Sequence, residues 1–401
     1  MTGSRFLDPP QITLDAIYGD GTILVPRPSP TQSEFLGARL SQARADASTG
    51  GPLAIAGTMP VSCSSQVVTE GCRALLGAAG LPVGDRRHLY GSLAEYQAFI
   101  QAPPDGHKLA FLYRHTADES PAVHCWIDPA LLSFLNDKSK LHDLVPGEFT
   151  PRRSVQAVES MSRLRPSRTA PIVLKGAGPW SSGSGEAVII ARNGRDLARA
   201  ETRLAGCEAV VVEEFLPLQR TWCLNFATDG STSHYFGAAE EVLSGVHYHG
   251  NWLEPGLDAP APARDVGLEI VRRASEMGYR GWAGIDMGVT DTGRLVVLDL
   301  NFRLCGSTAA VLWLPSVLKA RSPRTIGRVD TIKSGVTFAE ASLSIRKARD
   351  AWAALPLACF EPSGRQGGKA RPRFRVLHLG DSRDEVERNK ATLEAACRHA
   401  A

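Results

Sequence analysis

The sequence predicts a chain of two characters, an α/β segment followed by an α+β one. Strands alternate with helices over residues 51–136, as a largely parallel sheet requires. Beyond 137, pairs of strands are joined by short turns containing Asp and Gly, which is an antiparallel hairpin signal. The chain has 401 residues, 43% of them hydrophobic and 22% charged, which is ordinary globular usage and excludes wholesale disorder.

In chain order, residues 1–50 are rich in Pro and Gly, with a helix in SEFLGARLSQARAD before the STGG break. GPLAIAG then reads as a short buried strand, and VVTEGCRALLGAAG as a helix ending at Gly80. AEYQAFI is helical, KLAFLYRH and PAVHCWID are strands, and PALLSFLND is a helix. The second segment contains strand, small-residue loop and strand over 171–193, the helix GRDLARAETRLAG, and the strand AVVVEEFL. A hairpin follows around Asp229-Gly230, then the helix DVGLEIVRRASEMG and a second hairpin turning at TDTG, 290–293. The expected divisions are 1–136, 137–314 and a C-terminal segment, 315–401, that completes or is appended to the middle one. That last segment offers a helix at 338–353, a Gly/Arg-rich loop at 363–371, the strand FRVLHLG and a helix from Asp384.

With 45 basic against 42 acidic residues the net charge is +3, too balanced to make the whole chain a nucleic-acid binder. The basic run GRQGGKARPRFR reads as a solvated loop. No apolar run reaches the roughly 20 residues of a membrane helix, and MTGSRFLDPPQ lacks the regions of a signal peptide, so a cytoplasmic protein is expected. The eight cysteines are scattered without a CxxC pair, which speaks for reduced, packed thiols rather than zinc or a redox motif.

Three features carry chemistry. Lys175 ends a strand and is followed by GAGPWSSGSGE, whose small residues let backbone amides approach phosphates. The loop is not a Walker motif, because the lysine precedes the glycines, and a plain Gly/Ser turn remains open. In LVVLDLNFR, strand alternation sends Asp299, Asn301 and Arg303 to one side and Leu298, Leu300 and Phe302 to the other. Carboxylate and amide oxygens are hard ligands for Mg²⁺, and a guanidinium grips phosphate bidentately. A hairpin would bring Asp286 close to Asp299; an exposed polar strand face is the alternative. VVVEEFL ends a strand with Glu213 and Glu214 before Phe215 and Leu216, a segment that could pad a purine or simply end a strand.

Taken in order, with Lys138 in LNDKSKL ahead of them, these features resemble the ATP-grasp superfamily of carboxylate–amine ligases over residues 136–310. The resemblance implies an ATP-grasp fold preceded by an α/β pre-ATP-grasp domain. It implies that Lys138 and Lys175 contact ATP phosphates and that residues 176–185, including Gly176, Ser181, Ser182, Gly183, Ser184 and Gly185, form a lid. Glu213 or Glu214, with Phe215 and Leu216, would surround adenine and ribose. Asp286, Asp299 and Asn301 would bind two Mg²⁺, and Lys175 and Arg303 would act on the transferring phosphate. Asp299 stands where the family usually has Glu, Lys140 competes with Lys138, and Glu214 competes with Glu213. The layout is most similar to amino-acid and peptide ligases of specialised metabolism, including the pheganomycin-type peptide ligase, and so suggests antibiotic biosynthesis.

Candidates for substrate contact are Arg220, His234, and His247 and His249 in HYHGNW, which reads as a mobile loop over the acceptor site. The expected reaction is phosphorylation of a small-molecule or peptide carboxylate to an acyl phosphate, then attack by an amine, releasing ADP and phosphate. A silent nucleotide-binding partner or sensor and a small-molecule phosphotransferase are the alternatives. A homodimer is the default assembly.

Overall fold

The computed structural model describes residues 7–31, 41–178, 187–363 and 370–398. The expected helix over 33–46 and basic loop over 363–371 lie partly outside these, and Ser181, Ser182, Gly183, Ser184 and Gly185 lie wholly outside. The chain divides into two compact units: residues 1–126, 250–258 and 306–401, and residues 127–249 and 259–305.

The first unit opens with four parallel strands, β1 (Thr22–Val25), β2 (Val61–Ser64), β3 (Arg87–Tyr90) and β4 (Lys108–Phe111), in the order β3-β2-β1-β4. All of β1 and β2 is buried, as expected of inner strands covered on both faces. The helices α1 (Gln42–Ser48), α2 (Glu70–Ala78) and α3 (Leu93–Gln101) are capped by Ser41, Thr69 and Ser92, whose side chains accept backbone N–H bonds of the first turn. Ile23, Val25, Tyr90, Tyr96, Ile100 and Leu109 form one core.

Two expected strands are absent. Leu53–Ile55 of GPLAIAG is a 3₁₀ turn opened by Pro52, and Ala122–His124 of PAVHCWID is another, with only a single bridge from Cys125 to Leu109. GPLAIAG is a short apolar run that a turn buries as well as a strand would, so periodicity could not decide there. Ala122–His124 buries no residue and leaves Val123 exposed.

The second unit begins with α4 (Pro129–Asn136), capped by Asp128. β5 (Arg153–Gln156), β6 (Ile172–Ala177), β7 (Val188–Ala191) and β8 (Ala209–Glu214) make an antiparallel sheet in the order β5-β8-β6-β7. Helix α5 (Gly194–Leu204) covers it, and Leu174, Ile189, Leu197, Leu204 and Val210 fill the space between. A second antiparallel group joins β9 (Leu218–Thr228) to β10 (Ser233–Ser244) on one side and to β12 (Gly281–Thr290) and then β13 (Leu295–Asn301) on the other. Asp229 shapes the first turn by accepting from the backbone N–H groups of Ser231 and Thr232. HYHGNW is not a loop. It lies in strand β11 (His247–Leu253), where Gly250 has φ 119° and a side chain would collide with the Val329 carbonyl. Helix α6 (Ala261–Glu276) precedes β12.

After residue 305 the chain returns to the first unit. It forms α7 (Thr308–Ala320), β14 (Ile326–Lys333), α8 (Phe338–Asp350), β15 (Ala354–Phe360), β16 (Arg373–Gly380) and α9 (Arg383–Ala396). Thr337 and Glu340 form a reciprocal capping box at α8. β16 pairs with both β14 and β15, and Asn251–Leu253 pairs with β14. This segment joins the N-terminal one: Thr69 donates to Glu361, and Trp313 donates to the Ala54 carbonyl at 3.1 Å.

Candidate active site

The candidate site lies wholly in the second unit and is made by one face of β10-β9-β12-β13 together with side chains of the other sheet. Residue pairing fixes the face. Asp286 is opposite Asp299 on β13 and opposite Cys223 on β9, and Gly284 is opposite Asn301. Because side chains alternate along a strand, Gly284, Asp286 and Gly288 share this face with Cys223 and Thr221. Gly284 and Gly288 leave space on either side of the one acid.

Asn301 donates to Asp286 at 3.0 Å through Nδ2. Its Oδ1 accepts from Arg303 at 2.5 Å. Arg303 lies beyond the end of β13, where its N–H closes a tight turn onto the Asn301 carbonyl at 2.8 Å. Asn136, the last residue of α4, accepts from the Phe302 N–H at 3.1 Å and from the Arg303 guanidinium at 2.9 Å. Arg303 is thus held from both sides.

The opposing charge comes from three cations. Lys138 pairs with Asp299, whereas Lys140, two residues on in the same 3₁₀ turn, is exposed. Lys175 on β6 reaches Glu213 at 2.7 Å and the Leu298 carbonyl at 2.8 Å. Arg153 on β5 is buried opposite Glu213, 3.6 Å from it, and donates to the Lys138 carbonyl. The Nε and Nη1 atoms of Arg153 and Oε1 of Glu213 are buried without a hydrogen-bond partner.

Glu213 and Glu214 point to opposite faces of β8. Glu213 joins the lysine and Arg153. Glu214 binds Arg152 at 2.8 Å and Arg294 at 2.9 Å on the other side, and although burial opposes its charge these arginines hold it at about 2. Phe215 lies 5.6 Å under the Arg192 guanidinium, and Leu216 is partly buried. Gly176 has no room for a side chain, since a Cβ would stand 2.6 Å from Cys207 Sγ.

The acids are electrostatically unequal. Burial, then the neighbouring Asp299 charge, pushes Asp286 up to about 6. Burial also works against Asp299, but Lys138 and then Lys175 outweigh it and hold that carboxyl below its ordinary value. A third acid, Glu241 on β10, is pushed well above the carboxylate range by burial and by Asp286. It is hydrogen-bonded to Thr221.

Glu241, Arg153 and Asn136 are not evident from sequence. Arg153 and Glu241 join the group only through strand pairing between distant segments, and Asn136 only through the docking of a helix end. Strand alternation in AAEEVL offers Glu241 as readily as Glu240; Glu240 takes the other side, 3.9 Å from Arg220. Arg220 lies there too, over Trp222 at 5.8 Å, and so is not brought to the acids. His234, His247 and His249 are exposed. Among the described residues no group of three His, Cys, Asp or Glu side chains has metal-binding spacing, and no helix is long and apolar enough to cross a membrane.

Two models of one family match the chain. The L-aspartate–L-methionine ligase N-terminal domain matches residues 13–133, and the ATP-grasp domain of that ligase matches residues 151–301. The fold is similar to carboxyaminoimidazole ribonucleotide synthase from Aspergillus clavatus complexed with ATP, at 10% identity, with 95% of this chain and 99% of that one covered and a TM-score of 0.57. It is also similar to L-amino acid ligase from Bacillus licheniformis, at 12% identity, 94% and 98% coverage and a TM-score of 0.55. N5-carboxyaminoimidazole synthetase from Staphylococcus aureus complexed with ADP gives 10% identity, 98% and 100% coverage and a TM-score of 0.54. The chain belongs to the ATP-grasp superfamily of carboxylate–amine ligases, with an ATP-grasp fold behind an α/β N-terminal domain.

Proposed function

We propose that the chain joins two amino acids, or an amino acid and a peptide, through an acyl phosphate formed at the face of Asp286, Asp299, Asn301 and Arg303. The observation that carries this reading is the convergence of Lys138, Lys175 and Arg153 on Asp299 and Glu213, with Asp286, Asn301 and Arg303 linked in a chain across the strand from Asp299. Three cations facing an acid–amide–arginine group suit a triphosphate: the cations meet phosphate oxygens and the hard oxygens take the counter-ions. Glu213, next to Phe215 and Leu216, would meet the nucleoside end, and the amides from Gly176 onward would cover the phosphates. Asp286, Asp299 and Asn301 would hold Mg²⁺. Their fit is supported by the pairing of the two carboxylates across β12 and β13, where burial and then the Asp299 charge push Asp286 up to about 6. Mg²⁺ there would supply positive charge as the phosphoryl group moves.

In the first half-reaction a carboxylate oxygen attacks the γ-phosphorus and ADP leaves. Arg303, fixed by Asn136 and Asn301, stabilises the negative charge on the transferring group. Its position costs little reorganisation, because both hydrogen bonds exist beforehand. In the second half-reaction the amine attacks the acyl carbon, the carbon–nitrogen bond forms and the bond from that carbon to the phosphate oxygen breaks. Phosphate leaves with the oxygen and the electron pair while the nitrogen gives up a proton. No protein nucleophile is needed.

L-Aspartate and L-methionine, the amino acids in the family's description, are the first pair to test. A cytoplasmic location, a role in specialised metabolism and a homodimer complete the proposal. The experiment is ADP release from ATP and Mg²⁺ with all pairs of the common amino acids, read with mass detection of dipeptides. A dipeptide formed in step with ADP supports the reading. Phosphate retained on an amino acid, with no amide, would make the chain a phosphotransferase. No nucleotide turnover with any pair would leave only the fold.

A further inference from the structure

Two thiols lie against this face and take no part in the ligase chemistry. Cys223 stands on β9 opposite Asp286, and Cys305 follows Arg303 by two residues. The two side chains hydrogen-bond to each other, and Cys223 also bonds to the Asp286 carboxylate. Gly284 makes the space they share. A Cβ on it would lie 2.0 Å from Cys305 Sγ and 3.3 Å from Cys223 Sγ. Cys223 is buried, whereas Cys305 is partly exposed. A second thiol contact, Cys72 with Cys359, has both members buried in the other unit and serves as an internal comparison.

We propose that Cys223 and Cys305 form a modification site, a dithiol that peroxide-class oxidants convert to a disulfide and thereby switch the ligase off. Cys305 reacts first, being the member that solvent reaches. Its sulfur attacks a peroxide oxygen, a sulfur–oxygen bond forms, the oxygen–oxygen bond breaks and one water leaves. The Cys223 sulfur then attacks the Cys305 sulfur, the disulfide forms, and the oxygen departs as a second water. Each thiol gives up one electron and its proton, and hydrogen peroxide is reduced to two waters.

The consequence follows from which partner can move. A disulfide needs sulfurs about 2.05 Å apart, well inside hydrogen-bonding range. Cys223 is fixed in β9, which is bonded to strands on both sides. Cys305 must therefore move, and it draws on the turn that carries Arg303. Asp286 loses its thiol donor in the same step. The inhibitory half of this inference rests on the roles proposed above for Arg303 and Asp286; the cross-link does not.

The test uses the full chain treated with hydrogen peroxide, then alkylated, digested and mapped by mass spectrometry, with ADP release followed in parallel. The expected result is a Cys223–Cys305 linked peptide pair and at least a tenfold loss of turnover, both reversed by dithiothreitol. Cys72 and Cys359 should stay open to alkylation after denaturation. Cys305→Ser should keep its turnover under the same treatment. Recovery of both thiols unlinked, or linkage at Cys72–Cys359 instead, would overturn the site. A Cys305→Ser enzyme as sensitive as wild type would overturn the mechanism. A clean cross-link with undiminished turnover would refute the switch and count against the placement of Arg303. A chain with no turnover before oxidation would contradict the ligase reading, while the mapping would still decide the cross-link.

Discussion

Gly284→Ala adds one methyl group at the most crowded point of the carboxylate face. Gly284 does not adopt a positive φ, so alanine meets no backbone penalty there and the effect is one of contact. The new Cβ would lie 2.0 Å from Cys305 Sγ, 3.2 Å from Cys305 Cβ and 3.3 Å from Cys223 Sγ. The first distance lies far inside van der Waals contact, and Cys223 is held in a central strand, so Cys305 must give way. Overpacking of this kind costs about 1–3 kcal/mol. For a unit of this size that lowers the melting temperature by roughly 2–4 °C per kcal/mol. Turnover should fall further than stability suggests, because the displaced residue is two from Arg303. Cys305→Ala removes the atom at 2.0 Å, so in that background Gly284→Ala should lose most of its penalty, a coupling of about 1–2 kcal/mol. Urea denaturation of the four proteins, with ADP release on each, measures it. A Gly284→Ala protein as stable as wild type, or a penalty undiminished by Cys305→Ala, would refute the packing argument.

Other expectations concern the cations, the arginine and the N-terminal domain. Lys175→Met removes the partner 2.7 Å from Glu213, so stabilisation by Mg·ADP, about 2.7 kcal/mol at 100 times the dissociation constant, should shrink markedly; an unchanged thermal shift would remove Lys175 from the nucleotide site. Asn136→Ala takes away the acceptor 2.9 Å from Arg303 and should lower kcat at least tenfold while changing the KM for ATP much less; a change in KM alone would contradict the positioning role. His115 is buried, with Nε2 2.7 Å from the Tyr96 hydroxyl, and burial lowers its pKa to about 4. Since the unfolded value is higher, near 6.5, its contribution is present above pH 6.5 and is lost as pH falls toward 4, roughly 3 kcal/mol in all. His115→Gln should flatten the pH dependence of unfolding in that window, and an identical profile would show that another group carries it.

What the sequence disclosed depended on the range of the interactions involved. The hairpins at 229–230 and 290–293 are local, and each carries its own Asp and Gly, so the opposition of Asp286 and Asp299 could be anticipated from spacing. That Lys138 rather than Lys140 meets Asp299, and Glu213 rather than Glu214 meets Lys175, depends on the docking of a 3₁₀ turn and on which side of β8 shares a sheet face with Lys175, and neither is local. Arg153 was hidden because β5 is short and polar and its partner β8 is distant in sequence. Glu241 sits on a hairpin that is legible, but its meeting with Asp286 depends on the distant pairing of β9 with β12. β15 was missed because it is buried throughout, without the alternation that marks a half-exposed strand. Leu53–Ile55 erred in the other direction, as an apolar run that a proline turned into a 3₁₀ segment.

The most direct test of the acyl-phosphate route is oxygen transfer. The accepted acid, labelled with ¹⁸O in its carboxylate, is turned over with ATP, Mg²⁺ and the amine, and the phosphate is analysed by mass spectrometry. One ¹⁸O atom in the released inorganic phosphate, with ADP as the nucleotide product, is the predicted result, because the oxygen that attacks the γ-phosphorus leaves with it when the amide forms. Turnover that yields unlabelled phosphate, or that places the label in AMP, would contradict the account.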